Sequence, residues 1–425
     1  MSSVDSSFVD DSSSDEEFDL HEEEEIAMLV AMHKRKKPKH GGSVYGRAFI
    51  RRERIDAHKR LVHNYFASSP VFPENYFRRR FKMSKDLFFR ICNEVKQHNP
   101  VFEQRRSRVG LLGHSIEQKV TAALRIMAYG VPADYIDDNL AMAESTSIFY
   151  VKKFAITMVE VFGPQYMRAP NAQDTQRLLE MNKARGFPGM LGSVDCMHWK
   201  WKNCPKAWHG QFKGRGKDAT IILEAVVDYE TWIWHAYFGM PGSCNDINVL
   251  DWSPLFANLA NGEAPPVTFE ANGRTYNYGY YLADGIYPRW STFVKPVTEP
   301  EGKKELVFHN AQAAARKDVE RAFGILQSQF AIVRGPSRFW DEKILWYIMT
   351  ACVIMHNMII ENERGKNLDY NFYQLTGTRV NPMRKEERIR RFMKVYSEIR
   401  DSDVHDQLQK DLMEEHWKWH GERSA

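Results

Sequence analysis

The spacing of apolar residues changes near residue 185, and this change constrains the fold more than any other feature of the sequence. Before that point apolar residues recur every three or four positions, as in amphipathic helices; after it they alternate, as in strands. Later helices are predicted at 246–259 and 311–330, so the second half is predicted to be a mixed α/β domain. The predicted strands are 189–202, 219–228, 231–239, 280–284 and 293–297, and the first three are expected to form an antiparallel meander.

The first half of the chain carries signals for helices and their ends. Ser84 is a predicted N-cap, and Ser115 with Gln118 resembles a capping box. A short helix at 132–140, a tight turn and a longer helix that presents Lys152 and Lys153 match a helix-turn-helix, the DNA-binding arrangement of two helices. An ordinary helical bundle explains the same periodicity, and both readings stay open at this point.

Composition excludes several classes of protein. Apolar residues make up 43% of the chain, which rules out disorder throughout. The five cysteines form no C-x-x-C pair, so a disulfide framework and the common zinc patterns are excluded. The first residues are acidic and polar, unlike a signal peptide. The apolar run 345–360 contains a histidine and an asparagine, so we expect a buried helix and no association with membranes.

Charge is segregated along the chain. Residues 1–25 hold eleven acidic and no Lys or Arg residues, so the other 400 residues carry a net charge of +15. A basic body is typical of proteins that meet polyanions, and the lysines and arginine at 34–39 resemble a nuclear-import signal. We therefore expect a nuclear location, with the cytoplasm as a second one. The predicted organisation is a disordered region (1–46), a helical, helix-turn-helix-like DNA-binding domain (47–172), the α/β domain (173–365) and a charged tail with an amphipathic helix (366–425).

Acidic residues stand at the ends of predicted strands and on one helix. Asp195 interrupts an apolar strand, where an unpaired charge is costly. Asp246 opens a helix, and Asp284 ends a strand; an N-cap and a turn are the simpler explanations of these two. Glu320 lies one turn after Arg316, which could hold its carboxylate or form only a surface ion pair with it. Their convergence would give hard oxygen ligands for Mg²⁺ or Mn²⁺, so all four acids are candidate metal ligands and catalytic residues.

Other polar residues are weaker candidates. His198 follows Asp195 by three positions and could lie behind the metal site or contact substrate, although a core histidine is the simpler reading. Lys213, Arg215 and Lys217 form a short basic loop between the first two predicted strands. This loop could contact DNA phosphates, or it could be a plain hairpin loop.

Four motifs together resemble the plant PIF/Harbinger superfamily of DDE transposases, most closely its Pong/Ping-like branch. They are GSVDCMHW, PGSCNDINVL, YLADGIYP and VERAFGILQSQF, in that order. The resemblance implies a ribonuclease-H-like catalytic domain whose acids are Asp195, Asp246, Asp284 and Glu320. It leaves open whether Asp246 or Asp284 completes the triad.

The same resemblance implies an activity and partners. The expected function is metal-dependent cleavage of DNA at terminal inverted repeats, followed by joining of the 3′-hydroxyl ends to a TA-rich target. The expected partners are a Myb-like accessory protein encoded by the same element and further copies of the chain. Domesticated relatives of these transposases exist, so a chromatin or scaffold protein without cleavage activity is the alternative.

Overall fold

The computed structural model describes residues 50–364, except 109, 215 and 263, and residues 385–424. The predicted disordered region, the basic cluster at 34–39 and residues 365–384 lie outside the described residues. The helices are α1 (Arg54–Leu61), α2 (Glu74–Phe81), α3 (Lys85–His98), α4 (Ile116–Tyr129), α5 (Asp137–Leu140), α6 (Glu144–Tyr166), α7 (Ala172–Lys183), α8 (His209–Phe212), α9 (Asp246–Trp252), α10 (Ala257–Asn261), α11 (Lys303–Gln329), α12 (Ala331–Arg334), α13 (Glu342–Arg364), α14 (Lys385–Ile399) and α15 (Ser402–Ser424).

The strands form a five-stranded mixed sheet and a small separate hairpin. The order across the sheet is β3-β2-β1-β6-β7, in which β1, β2 and β3 are antiparallel neighbours and β6 and β7 run parallel to β1. The predicted meander is therefore confirmed. The strands are β1 (Met190–Lys200), β2 (Thr220–Val227), β3 (Ile233–Pro241), the hairpin strands β4 (Phe269–Ala271) and β5 (Arg274–Tyr276), β6 (Tyr280–Leu282) and β7 (Phe293–Val294).

The predicted helix starts are confirmed at α3 and α4. The Ser84 hydroxyl accepts a hydrogen bond from the backbone N–H of Leu87, which caps α3. At α4, Ser115 and Gln118 form the reciprocal pair of hydrogen bonds of a capping box. Gly130 ends α4 in the left-handed conformation that glycine adopts without strain.

Proline divides the helix that the sequence predicts at 246–259. Its first part, α9, ends at Trp252, because Pro254 lacks the N–H that a continuing helix needs. A short 3₁₀ turn over Pro254–Phe256 and the helix α10 follow. The single predicted helix is therefore wrong. The hairpin β4–β5 between α10 and β6 was not predicted.

The helices of the first half share one core with the sheet. The largest cluster of buried apolar residues runs from Leu61 of α1 to Ile359 of α13 and includes Trp199 of β1 and Leu223 of β2. Helix α13 packs along α6 and reaches β3. The helical layer thus covers one side of the sheet.

Helix α13 is the centre of this core. Within the described residues it is the one helix whose length and apolar composition would allow it to cross a membrane, but 72% of its apolar window is buried inside the fold. His356 and Asn357 are fully buried on it. The buried helix predicted at 345–360 is therefore confirmed.

Smaller apolar clusters lie on either side of the β6–β7 half of the sheet. One joins Met190 and Leu282 to Phe308 of α11 and Leu412 of α15. The other packs Leu250 of α9 against Val194 on the opposite face. The sheet is thus sandwiched between α11 and α9, and the functional candidates lie where these layers meet β1.

Candidate active site

Asp195 lies in the middle of β1, the central strand of the sheet. Side chains alternate across a strand, so Asp195 faces helix α11 and its neighbour Cys196 faces the opposite layer. Two contacts fix this orientation. The Ser193 hydroxyl donates to the carbonyl of Ala315 across 3.2 Å, and the backbone N–H of Cys196 donates to Asp195 Oδ1 across 2.8 Å. The carboxylate is thus held on the face of the sheet that α11 covers.

Arg316 of α11 joins Asp195 to Glu320. Its Nη1 donates to Asp195 Oδ2 across 2.9 Å, and its Nη2 lies 2.8 Å from Glu320 Oε1. The side chains of Arg316 and Asp195 are 20% and 19% exposed, whereas Glu320 is 46% exposed. A planar guanidinium presents its donors as a fork and can hold two carboxylates at once. The ion pair expected between Arg316 and Glu320 is present, and it includes Asp195 as a second acid.

Burial raises the pKa of Asp195 above the ordinary value of an aspartate. The hydrogen bond from Cys196 and the charge of Arg316 oppose this shift, whereas the negative charges of Asp246 and Glu320 add to it. Asp246 and Glu320 therefore each act electrostatically on Asp195. Arg316 pairs with two of these three carboxylates, so the group carries an excess of negative charge that a bound cation would relieve.

Asp246 is the first residue of α9 and is half-buried. The preceding residue, Asn245, caps this helix, because its side chain accepts from the backbone N–H of Asn248 across 2.9 Å. The simpler explanation of Asp246 as the N-cap is therefore wrong. An acid in the first turn of a helix is favoured by the helix dipole, so Asp246 is stabilised there without serving as the N-cap.

Asp284 is exposed and lies two residues beyond the end of β6. In the parallel pairing of β1 with β6, Ser193 lies opposite Leu282. The same register continued by two residues would bring Asp284 beside Asp195. The negative charge of Asp284 also acts on Lys295, whose pKa is lowered mainly by burial.

The metal ligands predicted from the sequence stay a prediction. Among the described residues, no group of three or more His, Cys, Asp or Glu side chains is close enough to hold a metal ion. The chemistry of the donors nevertheless fits Mg²⁺ or Mn²⁺, because carboxylate oxygens are the ligands that these ions prefer. Asp195 and Glu320 would hold such an ion, with Asp246 and Asp284 as the further ligands.

The weaker candidates lie away from this face of β1. His198 is exposed on the same face of β1 as Cys196, opposite to Asp195, and its Nδ1 is 3.0 Å from the hydroxyl of Thr220. The simpler reading as a core histidine is therefore wrong. Lys213 and Lys217 are exposed in the loop before β2, and Arg215 lies outside the described residues. Lys152 and Lys153 are half-buried on α6. DNA contacts by these lysines stay a prediction.

A buried polar group behind Asp195 was missed by sequence reasoning. Glu224 of β2 lies opposite Cys196 and is fully buried. Its Oε2 is 3.3 Å from His235 Nε2, which lies 3.0 Å from the hydroxyl of Ser253, while its Oε1 has no hydrogen-bond partner. The signal was present, because Glu224 is the single charged residue in the apolar run TIILEAVV.

The environment of Cys196 disfavours one alternative chemistry, nucleophilic attack by its thiol. Burial raises the pKa of the Cys196 thiol far above its usual range, and the negative charges of Glu224 and Asp246 raise it further. A thiol acts as a nucleophile only as the thiolate. Burial therefore disfavours Cys196 as a nucleophile, although it adjoins Asp195.

The order of the strands and the flanking helices indicate the class of domain to which this fold corresponds. A five-stranded mixed sheet of this order, flanked by helices, is consistent with a ribonuclease-H-like domain. Residues 164–367 match the family model described as plant transposon protein, and residues 58–96 match a domain of unknown function. The resemblance to PIF/Harbinger-derived transposases, inferred above from four motifs, is confirmed by these matches and by the relatives of the chain.

The relatives come from plants and animals. An Arabidopsis thaliana protein named ALP1-like is 26% identical over 68% of this chain and 71% of its own length. The Arabidopsis protein named antagonist of like heterochromatin protein 1 is 23% identical, over 69% of this chain and 76% of its own. The human protein named "Putative nuclease HARBI1" is 24% identical, over 71% of this chain and 80% of its own. No solved structure matches the chain.

Proposed function

We propose that this protein is a divalent-metal-dependent nuclease and DNA transposase. It would cleave DNA at terminal inverted repeats and join the freed 3′-hydroxyl ends to a TA-rich target. The observation that carries this proposal is the group formed by Asp195, Arg316 and Glu320, with Asp246 close enough to raise the pKa of Asp195. An excess of carboxylates next to the central strand of such a sheet suits the binding of Mg²⁺ or Mn²⁺.

Each residue of the site has a proposed role. Asp195 and Glu320 would hold the cation, and Asp246 and Asp284 would complete its ligands. Such cations would activate a water or a DNA 3′-hydroxyl for attack and stabilise the leaving oxygen of a phosphodiester. Arg316 keeps the two carboxylates in place, because its guanidinium already contacts both. The basic body of the chain would hold the DNA backbone.

The proposal extends to partners and location. A Myb-like protein encoded by the same element would help to recognise the inverted repeats. Two or more copies of the chain would act together, because the two ends of an element must be cut and joined. The site of action would be the nucleus.

The second candidate function is that of a domesticated chromatin or scaffold protein. The name of one Arabidopsis relative, antagonist of like heterochromatin protein 1, favours it. The ion pairs of Arg316 also favour it to a degree, since they neutralise carboxylates that a metal would otherwise hold. Intact Asp195, Asp246, Asp284 and Glu320 speak for the nuclease.

Cleavage assays separate the two functions. Purified protein is incubated with Mn²⁺ and inverted-repeat DNA, with and without the Myb-like partner. The proposal predicts cleavage that is lost in Asp195→Asn and in Glu320→Gln. The matched control is Glu305→Gln, which removes an acid near the distant N-terminal end of the same helix. DNA or partner binding without cleavage by the wild-type protein would support the scaffold function instead.

A further inference from the structure

A cavity of about 600 Å³ lies in the helical layer, among α1, α2, α4 and the turn before α5. We call it the arginine pocket, because three arginines line it. Its other lining residues include three tyrosines and a threonine, and none of them belongs to the site on β1. The lining residues on which the argument rests are Tyr65, Arg80, Thr121, Arg125, Tyr129 and Tyr135.

Two of the arginines are fixed by aromatic rings rather than by acids. The guanidinium of Arg80 lies 4.0 Å from the ring centroid of Phe72, and that of Arg125 lies 5.0 Å from the centroid of Phe81. Both donate to the hydroxyl of Tyr65. In the part of the chain that the structure describes, neither forms an ion pair with a carboxylate. Both cations therefore stay electrically uncompensated while partly removed from water.

The hydroxyl groups of the pocket also lack partners for their protons. Thr121 is 2% exposed, and its Oγ1 has no hydrogen-bond partner although it lines the cavity. The oxygen of Tyr65 accepts from two arginines, so its own proton is available to a further acceptor. A buried hydroxyl without a partner is costly, and a ligand that supplies acceptor oxygens would satisfy it.

The lining of the pocket therefore selects an anion. Three guanidinium groups and the hydroxyl groups of Tyr65 and Thr121 are donors, whereas Asp138 is the single carboxylate among the described lining residues and is exposed. A phosphate offers several acceptor oxygens and a charge that arginine matches geometrically.

The aromatic rings and the volume point to more than a bare phosphate. Tyr129 and Tyr135 line the pocket and are 41% and 64% exposed. Exposed rings beside a basic groove are the surfaces on which unpaired bases stack. A volume of about 600 Å³ is in the range of small-ligand sites and does not admit a DNA duplex.

We propose that the arginine pocket binds the phosphate and the base of an unpaired nucleotide at the end of a DNA strand. Arg80 and Arg125 contact the phosphate, Thr121 donates to one of its oxygens, and the base stacks on Tyr129 or Tyr135. This inference rests on the proposed function, because cleavage and joining create such strand ends. It adds a site in the helical layer that is separate from the acids on β1.

Binding is tested on the full chain in EDTA, where no cleavage occurs. Fluorescence anisotropy compares a labelled duplex with a three-nucleotide unpaired end against the same duplex with a blunt end. We expect the wild-type protein to prefer the unpaired end about tenfold, since stacking of a single base is worth about that much. Arg125→Gln and Thr121→Val should each abolish the preference and leave the affinity for the blunt duplex unchanged.

The matched control is Arg79→Gln, because Arg79 is an exposed arginine on the same helix as Arg80 and does not line the pocket. This variant should keep the preference. Thermal unfolding of each variant shows whether its fold is intact. Thr121→Val exchanges a hydroxyl for a methyl group of similar size, so it provides a second variant that is expected to fold.

Photo-crosslinking locates the base directly. DNA whose terminal unpaired base is 5-iodouracil is irradiated with the protein, and the crosslinked tryptic peptide is identified by mass spectrometry. We expect the peptide 126–152, which contains both Tyr129 and Tyr135. A crosslink confined to another peptide would overturn the proposal, as would equal affinity of the wild-type protein for both duplexes.

Two outcomes keep this inference distinct from the proposed function. A preference for unpaired ends without any cleavage in Mn²⁺ would support the pocket and contradict the nuclease. Cleavage without such a preference would support the nuclease and overturn the pocket. Competition by a phosphotyrosine peptide, with no competition by unpaired DNA, would assign the pocket to a phosphoprotein and also overturn the proposal.

Discussion

The guanidinium of Arg316 lies 2.9 Å from the carboxylate of Asp195, although 121 residues separate them in the chain. The same guanidinium holds Glu320 one turn further along α11. A strand and a helix from distant parts of the sequence thus place two carboxylates against one guanidinium group. The acids repel each other and are partly buried, so the site is less stable than a neutral one and gains from added positive charge.

The charge of Asp195 should destabilise the metal-free fold. A carboxyl group with a raised pKa binds its proton more tightly in the folded than in the unfolded chain, so stability falls as pH rises from the ordinary aspartate value through the raised one. Asp195→Asn keeps the oxygen that accepts from Cys196 and removes the charge. In EDTA at pH 7.5 we expect this variant to be more stable than the wild-type protein.

Urea unfolding measures this difference. At a pH below the ordinary aspartate pKa the two proteins should be closer in stability. Addition of Mn²⁺ should stabilise the wild-type protein and leave Asp195→Asn unchanged. A variant that is less stable than the wild type at pH 7.5 in EDTA would contradict the electrostatic account.

Replacement of Arg316 by lysine tests whether its forked geometry matters. Lysine keeps the positive charge but presents it as a point, so it cannot hold both carboxylates in the present arrangement. We expect cleavage of inverted-repeat DNA to fall at least tenfold in Arg316→Lys, with stability changed by less than about 1 kcal/mol because the pairs are partly exposed. The control is Arg321→Lys on the same helix, where the arginine pairs with Asp318 at 3.2 Å. Equal loss of cleavage in both variants would mean that any change of arginine to lysine on α11 reduces activity, and that the forked geometry of Arg316 has no special role.

Asp284 and Asp246 should differ in their importance for cleavage. The register of β1 with β6, continued by two residues, would place Asp284 beside Asp195, whereas Asp246 is the first residue of α9. We expect Asp284→Asn to abolish cleavage and Asp246→Asn to reduce it about tenfold. Asp251→Asn is the control, since Asp251 lies on α9 with a half-exposed side chain. If Asp246→Asn is inactive and Asp284→Asn is active, the assignment of the two acids is reversed.

Acid should unfold the protein partly through His356. Burial in α13 lowers the pKa of His356 to about 4, and its ring contacts the carbonyl of Thr231 at 2.8 Å. The unfolded chain takes up a proton near the ordinary histidine value of about 6.5, so stability should be lost as pH falls between about 6.5 and about 4, by up to ~3 kcal/mol. Urea unfolding at pH 7 and pH 5 should show this slope in the wild type and a smaller slope in His356→Gln. His63→Gln, which changes an exposed histidine, should keep the wild-type slope.

Sequence reasoning located the strands well and their contacts poorly. Alternation predicted β1 within two residues at either end, because one face of that strand is buried and the period is unambiguous. Register and strand order depend on contacts between distant segments, so the parallel pairing of Ser193 with Leu282 could not be predicted from the sequence. Glu224 was missed although the signal that marked Asp195, a single charge in an apolar strand, is also present in TIILEAVV.

The candidate site likewise combines features that the sequence predicts with contacts that it does not predict. The acids could be named from their flanking motifs, and the pair formed by Arg316 and Glu320 followed from helical spacing. The contact of Arg316 with Asp195 could not be predicted, because it depends on how α11 lies across the sheet. The fully buried Trp199 is another example, since its indole N–H donates to the carbonyl of Ile332, 133 residues away.

The shared core between α1–α6, α13 and β1–β3 sets a limit on how this chain can be divided. Trp199 and Leu223 of the sheet are enclosed by the same cluster that buries Phe88 and Phe154 of the helices. A fragment that begins at α7 would expose these rings to water and should aggregate rather than retain a working centre. A deletion that removes the helical layer would therefore also unfold the sheet. Heat should unfold the helical layer and the sheet in a single transition.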